Sequence, residues 1–249
     1  MSTSTARYAS LADRTVLITG GASGIGAHMV REFAAQGARV TFIDIDEKSA
    51  ASLTAEIPTA RFIACDVTDI PALRTAIATA GPVEVLINNA ARDDRHSLDS
   101  VEPDYWRRTL ALNLDHQFFA TQAVLPAMRE RRAGAIIMMG SISWLRARGG
   151  MVGYTTAKAA INGMTRTLAR ELGEHGIRVN CILPGAINTE RQAALWRSPE
   201  VDRQILDNQA LKIRLDGSHV ARMALFLASD EASGLTGQNF IVDAGITLN

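Results

Sequence analysis

A short β-branched run at residues 15–19 (TVLIT) passes at once into Gly20-Gly21-Ala22-Ser23-Gly24-Ile25-Gly26, and a helical pattern follows as far as Gly37. Strand, glycine turn and helix in immediate succession leave few folds open. Glycines admit positive φ and close approach of backbone, while a helix N-terminus offers free N–H groups and a partial positive charge. Together they form a phosphate cradle. The spacing is GxxxGxG (Gly20, Gly24, Gly26), not the GxGxxG fingerprint. A glycine turn alone can be only a tight connection, but the flanking strand and helix favour a dinucleotide. Gly20, Ser23, Gly24, Ile25 and Gly26 are its candidate contacts.

The next apolar run, residues 39–43, reads as a second strand and ends at Asp44, about 20 residues beyond the turn. A carboxylate there can bind both ribose hydroxyls of the adenosine half and would repel the extra phosphate of NADP. The glycine loop holds no arginine or lysine, and Ile45 follows Asp44, so the residues favour NAD; nearby Lys48 leaves NADP open. Residues 61–66 form a third strand, with Asp66 and Val67 placed to border an adenine. A helix over 71–80 and a strand over 83–87 lead to Asn88, Asn89 and Ala90. Further strands are expected at 135–139, 177–183 and 240–242, with a long helix from about 102 to 131 and a short one over 218–228. Strands alternating with helices imply a doubly wound α/β fold: a parallel sheet with helices on both faces and ligands at the carboxyl ends of the strands.

The chemistry is most legible in SISWLRARGGMVGYTTAK, residues 141–158. Tyr154 and Lys158 are four apart in a helical pattern, hence one turn apart on one face. A cation beneath a phenol favours the phenolate, lowering a pKa that is otherwise about 10. Ser141 is then placed to hydrogen-bond the substrate oxygen. This is an acid–base site for oxidising an alcohol or reducing a carbonyl. The plain alternative is an ordinary pair on an amphipathic helix. Yet the chain has three tyrosines and three lysines, and neither Tyr8 nor Tyr105 has a lysine four residues on. Asn113, within the long helix, is a candidate to hold a water linking Lys158 to solvent; the alternative is an asparagine satisfied by local backbone. Residues 186–215, of weaker periodicity, read as a substrate lid.

At 249 residues and 47% hydrophobic composition, the chain suits a single domain spanning 1–249. Twenty-six basic and 26 acidic residues give no net charge and no nucleic-acid footprint. No apolar run nears the ~20 residues of a membrane span, and the start lacks a secretory apolar segment. Cys65 and Cys181 read as small buried thiols, so a soluble cytoplasmic protein is expected. The five histidines show no HExxH spacing, and no metal site is expected.

From TGGASGIG through NNAA, Asn113, Ser141, Tyr154, Lys158 and Pro184-Gly185 to TGQNFIVDAG, the chain resembles the short-chain dehydrogenase/reductase superfamily over essentially its whole length. The resemblance implies a Rossmann-type fold with a seven-stranded sheet, a homotetramer and a catalytic tetrad. Asn113 would support a proton relay, Ser141 orient substrate, Tyr154 act as acid/base, and Lys158 lower its pKa while binding the nicotinamide ribose. Pro184 and Gly185 would border the nicotinamide, with Ile187 and Thr189 near its carboxamide. Ala91 departs from the family's NNAG. The stretches DDRHSL, GSISW, TERQAALW and LKIR are similar to bacterial NAD-dependent D-xylose 1-dehydrogenases and related aldose dehydrogenases. That implies oxidation of a sugar's anomeric hydroxyl to a lactone. Asp94, Arg95, Asn188 and Gln192 would then meet the sugar hydroxyls, with Trp144 and Trp196 against its C–H face; Asp94 and Arg95 pairing with each other is the alternative. Arg92, where asparagine is expected in that subgroup, points to a different or acid-bearing sugar. The other functions weighed are a dehydrogenase or reductase of a secondary alcohol, sugar acid or ketone, and a non-catalytic dinucleotide sensor.

Overall fold

Seven strands, β1 (Thr15–Thr19), β2 (Arg39–Asp44), β3 (Arg61–Ala64), β4 (Val85–Asn88), β5 (Gly134–Met139), β6 (Ile177–Pro184) and β7 (Asn239–Val242), form one sheet in the order β3-β2-β1-β4-β5-β6-β7. Every neighbouring pair is parallel. The computed structural model describes residues 6–196 and 198–248, without the Trp196 side chain.

A strand covered on both faces has to be apolar at consecutive positions, and each side chain then goes to the opposite core from its neighbour. In β1, Val16 and Ile18 enter one core and Leu17 the other. In β5, Ala135, Ile137 and Met139 alternate in the same way with Ile136 and Met138. The first core is closed by α1 (Gly24–Ala35) and α9 (Gly217–Ala228), which lie against each other. The second is closed by α3 (Ile70–Ala80), α5 (His116–Arg131) and α6 (Val152–Leu172).

The order in which strands are added reverses between β1 and β4, and Thr19 is level with Ile43 on one side and Asn88 on the other. The carboxyl ends of these strands therefore open onto one mouth at the switch point.

Four local expectations are corrected. The helix α2 (Glu47–Glu56) was not legible in the sequence, because it buries only Ala50 and Leu53; its start is fixed by Asp46, which accepts from the Ser49 N–H. The strand β3 stops at Ala64, two residues early, because the Asp66 carboxylate turns the chain by accepting from Thr68 N–H and Oγ1. The helix expected over 102–131 is three pieces: α4 (Pro103–Leu110), a π-helical turn (Ala111–Asp115) and α5. The widened turn carries Asn113, and such turns recur at functional sites. Residues 186–215 include two short helices, α7 (Glu190–Trp196) and α8 (Pro199–Asn208). Among the described residues no helix is long and apolar enough to cross a membrane, and both cysteines are free thiols, Cys181 buried and Cys65 half-buried.

Candidate active site

The mouth at the strand ends is a cleft of about 1340 Å³. At one end lies the glycine turn. Gly20 has φ +65°, and a Cβ there would stand 2.7 Å from Ala90 Cα; a Cβ on Gly26 would collide with the Gly20 carbonyl oxygen. Only glycine lets the turn fold back between β4 and α1. Asn89 locks it, donating from Nδ2 to the carbonyls of Thr19 (3.1 Å) and Gly20 (2.8 Å). Thr19 Oγ1 accepts in turn from the N–H groups of Asn89 and Ala90.

Gly20, Ser23, Gly24 and Ile25 line the cleft. Gly26 lies behind them, supporting the turn rather than facing the cleft. Ser23 stands at the N-cap of α1 without its side chain capping the helix, so the first-turn N–H groups face the cleft uncapped. Asp44 closes this end: Oδ2 accepts from Ala22 N–H at 2.9 Å, and Oδ1 from the N–H groups of Ile45 and Asp46. It is a fixed, half-buried carboxylate rather than a solvated strand end. Asp66, Val67, Asn89 and Ala90 extend the same wall, while Lys48 is exposed and outside it. A dinucleotide fits these residues. Pro184, Gly185, Ile187 and Thr189 line the part of the cleft beyond β6.

The chemistry sits between. Ser141 follows β5, and Tyr154 and Lys158 project from α6; all three line the cleft. The Ser141 side chain acts on the Tyr154 phenol, favouring its ionised form, while Ser141 Oγ accepts from the Ser143 N–H at 3.1 Å. Lys158 is 1% exposed, with Nζ donating to the Met139 carbonyl at 2.7 Å and lying 5.6 Å from the Tyr154 ring centroid. An ordinary surface pair would not bury its ammonium.

Burial dominates the electrostatics of the pair. It pushes the Tyr154 phenol up to about 12, with the Ser141 side chain opposing the rise, Asp93 adding to it and Arg95 and Arg191 opposing it. Burial likewise holds Lys158 down at about 8. Desolvation thus works against the charged form of both groups. Any cation held beside the phenol would lower its pKa.

This has a consequence for stability. Lys158 has an ordinary pKa of 10.5 and a folded value of about 8, so the unfolded chain binds more protons between them and this group makes stability rise with pH across that window. Below it the buried ammonium costs about 3 kcal/mol. Cys181, pushed to about 12 by burial, has the opposite slope from about pH 9. Lys158→Met is therefore expected to raise stability at pH 7 by about 2–3 kcal/mol. Denaturant unfolding of both proteins should show the difference shrinking from pH 8 to pH 10. A variant less stable at pH 7 would refute this.

Asn113 is 1% exposed and does not line the cleft. Its Oδ1 accepts from Arg92 N–H (2.9 Å) and its Nδ2 donates to the Thr109 carbonyl (3.0 Å). The side chain is thus satisfied by backbone, and it positions the 91–95 segment over the site.

The expected substrate residues divide. Arg95 and Gln192 line the cleft. Asp94 does not: its carboxylate is taken by Arg92 (2.8 Å) and Arg191 (2.9 Å), not by Arg95. Its neighbour Asp93 faces the cleft instead, accepting from Arg191 at 2.6 Å and from Gln192 Nε2 at 2.8 Å. In an extended segment adjacent side chains point opposite ways, and the doublet alone gave no register. Trp144 is half-buried outside the cleft with its indole N–H turned inward, and Asn188 is exposed, its N–H bonded to the Leu215 carbonyl. The Trp196 side chain lies outside the described residues. The sequence reasoning missed Asp93, Arg191, Arg146 and Arg148, all of which line the cleft. Among the described residues no cluster of metal-binding side chains is present.

A parallel seven-stranded sheet, a glycine cradle at its switch point and a Ser–Tyr–Lys set beside it define a nucleotide-dependent oxidoreductase, and the chain belongs to the short-chain dehydrogenase/reductase superfamily. Residues 20–247 match the family described as enoyl-(acyl carrier protein) reductase. The chain is 47% identical to a D-xylose 1-dehydrogenase of Caulobacter vibrioides, over 97% of this chain and 99% of the relative. It is 43% identical to a probable galactose dehydrogenase of Rhizobium meliloti, over 99% and 100%. Among solved structures, a putative gluconate dehydrogenase from Agrobacterium tumefaciens superposes with a TM-score of 0.92 at 29% identity, covering 97% and 99% of the two chains.

Proposed function

We propose that the protein is an NAD-dependent aldose 1-dehydrogenase, oxidising the C1 hydroxyl of a cyclic sugar to a lactone. The observation that carries the oxidoreductase chemistry is that Ser141, Tyr154 and Lys158 line one cleft with the glycine cradle, the Lys158 ammonium 5.6 Å from the Tyr154 ring centroid. The sugar assignment is supported by the two sugar-dehydrogenase relatives and by Asp93 and Gln192, a polar pair on the cleft wall able to meet hydroxyl groups. NAD is favoured over NADP by Asp44, held by three backbone donors at the β2 end.

In this scheme Gly20, Gly24 and the uncapped N-terminus of α1 hold the pyrophosphate and Asp44 the adenosine ribose. When bound, NAD would supply the hydride acceptor, and Tyr154, as phenolate, would take the hydroxyl proton of the sugar. Ser141 hydrogen-bonds the reacting oxygen, and Lys158 offsets charge on the phenolate. The Asn113 side chain holds the loop bearing Asp93 and Arg95, and α7 and α8 act as the lid. The test is NADH formation across aldopentoses, aldohexoses and simple secondary alcohols, with NAD and NADP compared. A rate on aldoses is expected. Turnover of chiral alcohols or keto acids, with none on any aldose, would refute the sugar assignment and leave the acid–base set in place.

A further inference from the structure

The chain as a whole carries no net charge, but the cleft does not share that balance. At the adenosine end its charged walls are acidic, with Asp44, Asp46 and Asp66. Among the described residues, eight arginines line the rest of the cleft against two carboxylates, Asp93 and Glu190. Ion pairs join Arg92 to Asp94, Arg107 to Asp104, Arg191 to Asp93 and Asp94, and Arg214 to Asp202. Arg92, the residue that suggested an acid-bearing sugar in the sequence, is therefore already neutralised.

Arg146 and Arg148 are different. They belong to the segment between β5 and α6 that begins with Ser141 and runs toward Tyr154. Among the described residues neither guanidinium has a hydrogen bond or an ion pair. Both side chains are exposed at the cleft wall, and Arg148 is held below its ordinary value by partial burial first and then by Arg95 and Arg146, with Asp93 the opposing influence. Asp93 cannot balance them fully, because its two oxygens are bonded to Arg191 and Gln192. Ala147 between them has φ +48°, a left-handed conformation that a non-glycine residue rarely adopts. A strained loop thus presents two like charges to a cleft whose Asp93 carboxylate is already bonded, an arrangement that favours an anion.

Arg95, Asp93, Arg146 and Arg148 line the same cleft as Tyr154, and Arg146 and Arg148 lie on the segment that joins Ser141 to α6, which bears Tyr154. We propose that the sugar oxidised here carries an anionic group, a carboxylate or a phosphate, at the end remote from C1, and that Arg146 and Arg148 receive it. This rests on the aldose reading above. Arginine suits the role because its planar fork matches carboxylate and phosphate oxygens.

The test compares kcat/KM for D-glucuronate, D-galacturonate and D-glucose 6-phosphate with that for their neutral parents, at low and high salt. The expected result is a preference of at least ~10-fold for a charged sugar, the size of one or two charge-assisted hydrogen bonds, shrinking as salt screens it. The better of the uronate and phosphate arms identifies the anion. In the double variant Arg146→Gln/Arg148→Gln the ratio of charged to neutral sugar should fall by ~10-fold or more. Equal or better rates on neutral parents would overturn the proposal while the aldose reading stands. A preference that survives the double substitution would overturn the assignment to these arginines. No turnover of any aldose, charged or neutral, would overturn both this proposal and the aldose reading.

Discussion

Tyr154→Phe is expected to lower the rate of alcohol oxidation by about 10²–10⁴-fold, the usual contribution of a positioned acid–base group, with dinucleotide affinity retained. The ring remains, so its packing over Lys158 is preserved; what goes is the hydroxyl that shares the cleft with Ser141. The pH profile separates this from a structural effect. With the phenol pushed to about 12 in the free cleft, only a small fraction is ionised at neutral pH, so the oxidation rate rises with pH. The rise should bend near pH 8, where Lys158 begins to lose the charge that favours the phenolate. Carbonyl reduction, which consumes a proton, should run the other way. In Tyr154→Phe the slope should vanish along with the rate. Near-normal turnover with full cofactor binding would eliminate Tyr154 as the base.

How far the sequence foretold this site depends on the kind of signal each residue leaves. The strand β1 was legible to its bounds, because a strand buried on both faces is an uninterrupted apolar run closed by glycine. Asp44, Ser141 and Tyr154 were legible as positions, since strand ends and helix spacing fix where a residue lies. Their energetics were not. The Tyr154 phenol is raised because burial, which has no signature in a four-residue spacing, is the largest influence on it. The same gap explains Asp93: the doublet says an acid lies here, and only the partners Arg191 and Gln192, nearly a hundred residues away, say which one faces the cleft. Arg146 and Arg148 drew no reading from the sequence, and both are exposed in the loop. Their lack of carboxylate partners among the described residues emerges only when α6, α7 and the 91–95 segment are brought together.

Substitution of Asp44 should have the second large effect, and on a different observable. In Asp44→Ala the ratio of NAD to NADP affinity is expected to fall by about 10²–10³-fold. Two contributions add: loss of charged hydrogen bonds to the ribose, about 1.5–3 kcal/mol, and removal of the like-charge repulsion that disfavours the 2′-phosphate, of comparable or larger size. The carboxylate also braces the turn, accepting from Ala22 N–H, so some loss of thermal stability is expected as well and has to be separated from selectivity. Titrating both dinucleotides by fluorescence, without any sugar, does so: a weakened turn reduces both affinities together, whereas a selector changes their ratio. Asp44→Asn refines the comparison. It removes the charge but keeps one oxygen for three backbone donors, so it should recover part of the stability and little of the NAD preference. If the ratio stays put in both variants while stability falls, Asp44 is a brace for the glycine turn, and the preference for NAD has to come from elsewhere in the cleft.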